Sequence, residues 1–263
     1  VVHIGHGGID PGTQAYWAEP GRGGARTVVY EHTLCFDIAS RLVEILEREP
    51  AVAVVPVVVD TAMGFRVQDV PVPDFRRTSA LATSPPHDLN VNHYKASVNL
   101  RWMVANRAVH DLHDSGRLHG KKLAFVSIHC DARSGENVEG LCVYVPRGPA
   151  VNPEGTAHGI YLLYRYDAYT EPRSRPAIVN DDHRDSRQLA WELVNGFRAR
   201  GLPVIEYLPI RSRIEGGYSP AVLAHNWIPC RVLLELGNRT DPDDLARMTD
   251  PGYRQRVAEA IAA

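Results

Sequence analysis

Lysine and cysteine are both scarce in this chain. Only Lys95, Lys121 and Lys122 stand among 29 basic residues, so nearly all positive charge is arginine. The four cysteines (Cys35, Cys130, Cys142 and Cys230) are far apart in 263 residues and form no C-x-x-C pair. That excludes a disulfide-dense scaffold and a zinc knuckle, and buried free thiols, or at most one disulfide, are expected instead. No apolar run approaches the ~18–20 residues of a membrane span. No charged segment followed by an apolar one opens the chain as a signal peptide would. Val1 reads as the inside of a strand, so upstream sequence is expected. There is no excess of charge either: 29 basic residues face 31 acidic ones, a net charge of -2. A dedicated nucleic-acid binder shows a basic face, so no nucleic-acid partner is expected. With 44% hydrophobic and 23% charged residues, the composition excludes a disordered chain and supplies a core.

What is present alternates between strand and helix patterns. Val1–Ile4 reads as a short strand, followed by a turn-rich loop through Gly5-His6-Gly7-Gly8 and Asp10-Pro11-Gly12. Leu34, Ile38, Leu42, Ile45 and Leu46 recur at helical steps within Tyr30–Glu49, and Pro50 stops that helix. The Val-rich run Ala51–Val59 suits a strand covered on both faces. Leu123–Ile128, Leu141–Val145, Val204–Tyr207 and Arg231–Glu235 read as further strands. Ala96–Leu112, Asp185–Arg200, Asp241–Met248 and Tyr253–Ala262 read as helices, with Asp241 or Asp243 placed to cap the third of these. The pattern predicts one α/β domain, residues 1–263, with a mostly parallel or mixed sheet flanked by helices. Two long insertions interrupt it, at about 61–95 and 146–183.

Twelve histidines raise the question of a metal. His6 follows a strand among glycines, and His129 ends the strand Ser127-Ile128-His129. Sites in open α/β sheets gather outside the carboxyl ends of strands, so both imidazoles belong to one rim. Glu31 lies in the first turn of a helix, and Glu235 ends the apolar run Val232-Leu233-Leu234. A zinc hydrolase needs three protein ligands, an open position and a base. His6, Glu31 and His129 can supply the ligands, and Glu235 the base. The spacing carries no local motif such as H-E-x-x-H. A turn histidine, a helix-start glutamate and a hydrogen-bonded core histidine explain the same residues, and the spacing leaves both readings open.

Other residues are weaker candidates. His110, His113 and His119 read as a solvated helix end rather than a surface metal site. Cys130 should point away from His129, and Cys35 reads as a packed thiol. Asp10 either holds a ligand through a hydrogen bond or simply forms a turn. Tyr161, Tyr164, Tyr166 and Tyr169 suit either a glycan or peptide platform or the packing of the second insertion.

Four motifs in order resemble the zinc-dependent N-acetylmuramoyl-L-alanine amidases of bacterial cell walls. They are Gly5-His6-Gly7-Gly8-x-Asp10-Pro11-Gly12, Glu31 at a helix start, Ser127-Ile128-His129 and Leu234-Glu235-Leu236-Gly237. Arg101 with Ala105-Asn106, and Gly140-Leu141-x-Val143-Tyr144, resemble two further stretches of that family. The resemblance implies a sheet of about six strands and one Zn2+ held by His6, Glu31 and His129. It makes Glu235 the catalytic glutamate. Asp10, Arg101, Asn106 and Asn238 become candidates for supporting the ligands or touching substrate. The implied substrate is peptidoglycan or muropeptides, cut between the lactyl group of N-acetylmuramic acid and L-alanine. The implied place is the cell envelope, periplasmic or secreted, with any activator protein unidentified. The chain departs from the family at His3 and Ile4 (usually Asp-Pro), at Asp131 (usually Asn) and at Asp60-Thr61 (usually Thr-Arg). The family's Gly-Phe-x-Ser/Thr-Asn is shortened to Gly237-Asn238-Arg239. Another zinc amidohydrolase or carboxypeptidase, or a silent wall-binding module, are the rival readings.

Overall fold

Three parallel strands carry the apolar runs into a mixed sheet and bring their carboxyl ends together. The computed structural model describes residues 1–7, 10, 12–18, 26–60, 64–73, 81–83, 94–133, 139–150, 184–214, 217 and 219–263. Strand β1 (Val2–Ile4) is followed by the hairpin β2 (Gln14–Ala18) and β3 (Arg26–Tyr30), then helix α1 (Glu31–Leu46). Next come β4 (Val58–Asp60), β5 (Leu81–Thr83), α2 (Tyr94–Asp114), β6 (Ala124–Asp131) and β7 (Cys142–Tyr144). The chain closes with α3 (Arg184–Ala199), β8 (Ile210–Arg211), α4 (Ala221–Ala224), β9 (Cys230–Asn238), α5 (Pro242–Thr249) and α6 (Pro251–Ala262). The main sheet has the order β1-β6-β9-β7-β8, with β1, β6 and β9 parallel and β7 antiparallel to β9. Helix α1 packs on β1 and β6 and α3 on β9, so the α/β architecture read from the sequence is the one present.

Among the described residues the sheet holds five strands rather than six, and the shortfall lies in the Val-rich run. Only a parallel bridge at Pro56 joins that run to Val2, through Val2 N to Val55 O (3.0 Å) and Val57 N to Val2 O (2.9 Å). Pro56 has no N–H to extend the ladder. The end of the run instead becomes β4, which pairs antiparallel with β5 inside the stretch expected to be irregular. The strand expected at Val204–Tyr207 shrinks to one bridge, Leu141 with Val204. Leu208 has φ 51°, which turns the chain, and pairing resumes at β8. The β2–β3 hairpin lies outside the strands that the sequence pattern predicts. The tyrosines at 161, 164, 166 and 169 lie outside the described residues.

Helix α1 is buried continuously from Glu31 to Val43, polar residues included. Its inner charge is met by pairing. Asp37 accepts from Arg41 Nε (2.9 Å), Arg254 Nε (2.6 Å) and the backbone N–H of Gln68 (2.7 Å). Arg254 then binds four backbone carbonyls, at Gln68, Val70, Pro71 and Met248. Removing one partner of a buried pair strands the other, at a cost of about 3–5 kcal/mol. Asp37→Ala should therefore lose about that much stability in urea titration. A loss under about 1 kcal/mol would show the pair to be dispensable. Asp241 and Asp250 cap α5 and α6, each followed by a proline at the first helical position.

Candidate metal centre

The ends of the parallel strands converge on one cluster. His6 lies two residues beyond β1, His129 is within β6, and Glu31 is the first residue of α1. His6 Nε2 and His129 Nδ1 each stand 3.3 Å from Glu31 Oε1. Donors about 2.0–2.1 Å from one zinc ion, at tetrahedral corners, stand roughly 3.3–3.4 Å apart, so both spacings suit an ion between them. Among the described residues this is the one His/Cys/Asp/Glu trio whose donors can hold a metal ion. Glu31 does not cap its helix by side chain; Tyr30 holds the N-cap position.

The surroundings hold each donor in place. Asp10 Oδ2 lies 2.8 Å from His6 Nδ1, leaving Nε2 to face the centre, and Asp10 Oδ1 accepts from Gly12 N (3.2 Å). A carboxylate on the outer nitrogen is the usual support for a metal-binding imidazole. Glu31 Oε2 accepts from Arg239 Nη2 (3.1 Å) and Thr13 Oγ1 (3.2 Å), and Oε1 accepts from Cys130 N (3.2 Å). His129 Nε2 is buried and without a hydrogen-bond partner among the described residues. Its ring lies directly on Gly5, where an added Cβ would come within 2.1 Å of Cε1. Gly12 has φ 70° and faces Glu31, where a Cβ would stand 2.7 Å from Glu31 Cβ.

The electrostatics fit a site made for a cation. Burial lowers the His6 pKa, but the Glu31 charge and the hydrogen bonds to Asp10 and Glu31 outweigh it, lifting it to about 9. Burial would raise Glu31, yet His6, His129 and Arg239 hold it well below the carboxylate range. His129 is lowered, mainly by burial. A metal and a proton compete for His6 Nε2, so loading at pH 7 should release at least one proton. Affinity should climb with pH up to about 9 and level off above it. Calorimetry in buffers of different ionisation enthalpy reads that proton, and a release of zero would contradict it.

Glu235 occupies the neighbouring strand. Its Cα is registered against His129 on β6 and against Cys142 on β7, which directs its side chain to the face that carries His129. The β6–β9 register shifts after this pair, so that Asp131 meets Asn238. Glu235 Oε2 is enclosed and has no hydrogen-bond partner among the described residues. Burial first, then the charges of Glu31 and Asp131, push its carboxyl well above the usual range.

The remaining candidates lie further out. Arg101 is fully buried and donates to Ile4 O (2.7 Å), pinning β1 where it turns toward His6. Asn106 spends its amide on the backbone of His225 (3.0 Å) and Trp227 (2.9 Å). Asn238 binds Arg133 through both N–H (3.0 Å) and carbonyl (2.9 Å), and so shapes the segment after β6. Cys35 and Cys130 are free thiols with sulfurs 3.5 Å apart, packed behind the centre. Sequence reasoning missed Thr13 and Arg239. Arg239 left a signal, being a cation directly after a buried strand at a point where the family motif is broken.

No curated protein matches the chain. Solved structures similar to it include the CwlD amidase from Clostridioides difficile in complex with the GerS lipoprotein. That match has a TM-score of 0.55 and 17% identity over 99% of this chain and 93% of that one. A second is the N-acetylmuramoyl-L-alanine amidase from Clostridium difficile 630, with a TM-score of 0.52, 17% identity, and 99% and 91% coverage. At such identity these likenesses speak for the fold. The family model for N-acetylmuramoyl-L-alanine amidases, however, matches residues 1–263, the strand ends and helix start that build the cluster included. By that match the chain belongs to the N-acetylmuramoyl-L-alanine amidase family.

Proposed function

We propose that this chain is a zinc hydrolase that cuts the amide between N-acetylmuramic acid and L-alanine in peptidoglycan, with residues 1–263 as one catalytic domain. His6, Glu31 and His129 hold the ion, and Glu235 is the general base. The observation that carries the reading is the pair of 3.3 Å donor spacings around Glu31 Oε1, with Glu235 in register beside His129. Zinc, when bound, supplies Lewis acidity for the scissile carbonyl and positive charge that lets Glu235 ionise.

Glu235 takes a proton from the attacking water as its oxygen bonds to the carbonyl carbon. It then gives that proton to the departing L-alanine nitrogen as the C–N bond breaks. A carboxyl pushed upward by enclosure suits both tasks, since it binds the proton firmly and can still release it. Asp10 keeps His6 in the tautomer with Nε2 free. Such a substrate places the work at the cell envelope; no helix among the described residues is long and apolar enough to cross a membrane.

Product analysis on purified muropeptides tests the reading. A free peptide beginning with L-alanine is expected by mass spectrometry. Release of a C-terminal amino acid would instead indicate a carboxypeptidase, and intact substrate with zinc-loaded protein would indicate a wall-binding module.

A further inference from the structure

Arg239 is 2% exposed and sits against a proposed metal ligand, an unusual place for a cation. All three of its guanidinium nitrogens donate hydrogen bonds. Nη1 donates to Thr13 O (2.6 Å), Nε and Nη2 donate to Cys130 O (3.3 and 3.2 Å), and Nη2 also reaches Glu31 Oε2 (3.1 Å). One side chain thus ties the segment before β2, the strand carrying His129, and Glu31 itself. Thr13 adds two further donors to the same oxygen, Oε2, through Oγ1 (3.2 Å) and its backbone N–H (3.4 Å). Only Oε1 is left facing the two imidazoles.

We propose that Arg239 is a positioning residue that holds Glu31 to one-oxygen metal binding and offsets its negative charge. The proposal rests on the zinc reading above. A carboxylate with both oxygens free can chelate an ion and fill the position that water and substrate need. With Oε2 tied to Arg239 and Thr13, that position stays open. The charge argument runs the same way. Glu31 cancels half the charge of a dication, and Arg239 restores it without becoming a ligand. The centre then keeps an electrophilicity closer to that of three neutral histidines. A lysine offers a single point of charge and cannot fork across Thr13 O, Cys130 O and Glu31 at once.

X-ray absorption at the zinc edge, and the visible spectrum of the cobalt-substituted protein, read the coordination directly. Wild type should show four-coordinate metal at one ion per chain. Absence of bound zinc in wild type would overturn the zinc reading itself, separately from Arg239. Arg239→Met should bind zinc yet expand its shell toward five, with a weaker cobalt band. Its kcat should fall about 10- to 100-fold, as is typical when a supporting partner of a ligand is lost, with KM nearly unchanged. Thr13→Val removes the hydroxyl donor to Oε2, keeps the backbone N–H of residue 13 and leaves the buried arginine in place. It should move the spectra in the same direction by a smaller amount, and it stands as the test if Arg239→Met does not fold. A four-coordinate spectrum in the folded variants, with only a lowered melting temperature, would overturn the proposal, because a purely structural arginine changes stability and not the metal shell.

Discussion

Glu235→Gln should lower kcat by about 10²–10⁴ while zinc content and KM stay near wild type. Glutamine keeps the size and much of the hydrogen-bonding shape of glutamate but cannot accept the proton of the attacking water. The loss would be confined to the transition state, because Glu235 is not among the proposed ligands. Stability gives the opposing signature. A carboxyl whose Oε2 is enclosed without a hydrogen-bond partner among the described residues, and which burial and then Glu31 and Asp131 push upward, is a burden on the fold. The neutral variant should therefore melt no lower than wild type. If Glu235 served only to tie β9 to its neighbours, Glu235→Gln would melt lower and turn over normally in the folded fraction.

Gly5→Ala should abolish tight metal binding without removing the sheet. The added Cβ would fall 2.1, 2.2 and 2.6 Å from Cε1, Nδ1 and Nε2 of His129. No such contact is tolerated, so either the ring leaves its place or β1 moves away from β6. The ring is the softer element, because Gly5 N is bonded to Ile128 O (2.9 Å) and β1 to β6 over three registered pairs. Displacing one of three ligands should weaken zinc by at least about 10- to 100-fold by chelator competition, with far-UV circular dichroism unchanged. Gly148→Ala, with nothing within 4 Å of the new Cβ, is the control. Unaltered affinity in Gly5→Ala would mean that His129 does not bind metal through the ring position seen here.

The glycines around His6 allow a close approach to the backbone. In the structure the close approach at Gly5 is made by another side chain, the His129 ring. That detail was illegible because the sequence says which residues end strands but not which ring lies over which backbone. Strand ends were legible: the apolar runs before His129 and Glu235 are long enough to mark β6 and β9, and a parallel sheet then puts their ends on one rim. Pro56 interrupts the Val-rich run, and its missing N–H, rather than the run's hydrophobicity, decides how far that run pairs. The hairpin Gln14–Ala18 with Arg26–Tyr30 escaped because its alternation is shallow, and only Ala15 and Val29 are buried. The arginine bias also acquires a physical use. Arg101, Arg231, Arg239 and Arg254 are almost wholly buried, and the last three each donate to two or more backbone carbonyls that a lysine could not fork across.

Metal analysis of purified, zinc-supplemented protein, with His129→Ala treated in parallel, tests the proposed centre most directly. Wild type should carry one zinc per chain. His129→Ala should keep its circular dichroism spectrum and fall below about 0.2 zinc per chain, an order-of-magnitude threshold for lost occupancy. Wild-type protein below that threshold, or His129→Ala with undiminished zinc, would contradict the assignment of His6, Glu31 and His129 as the metal site.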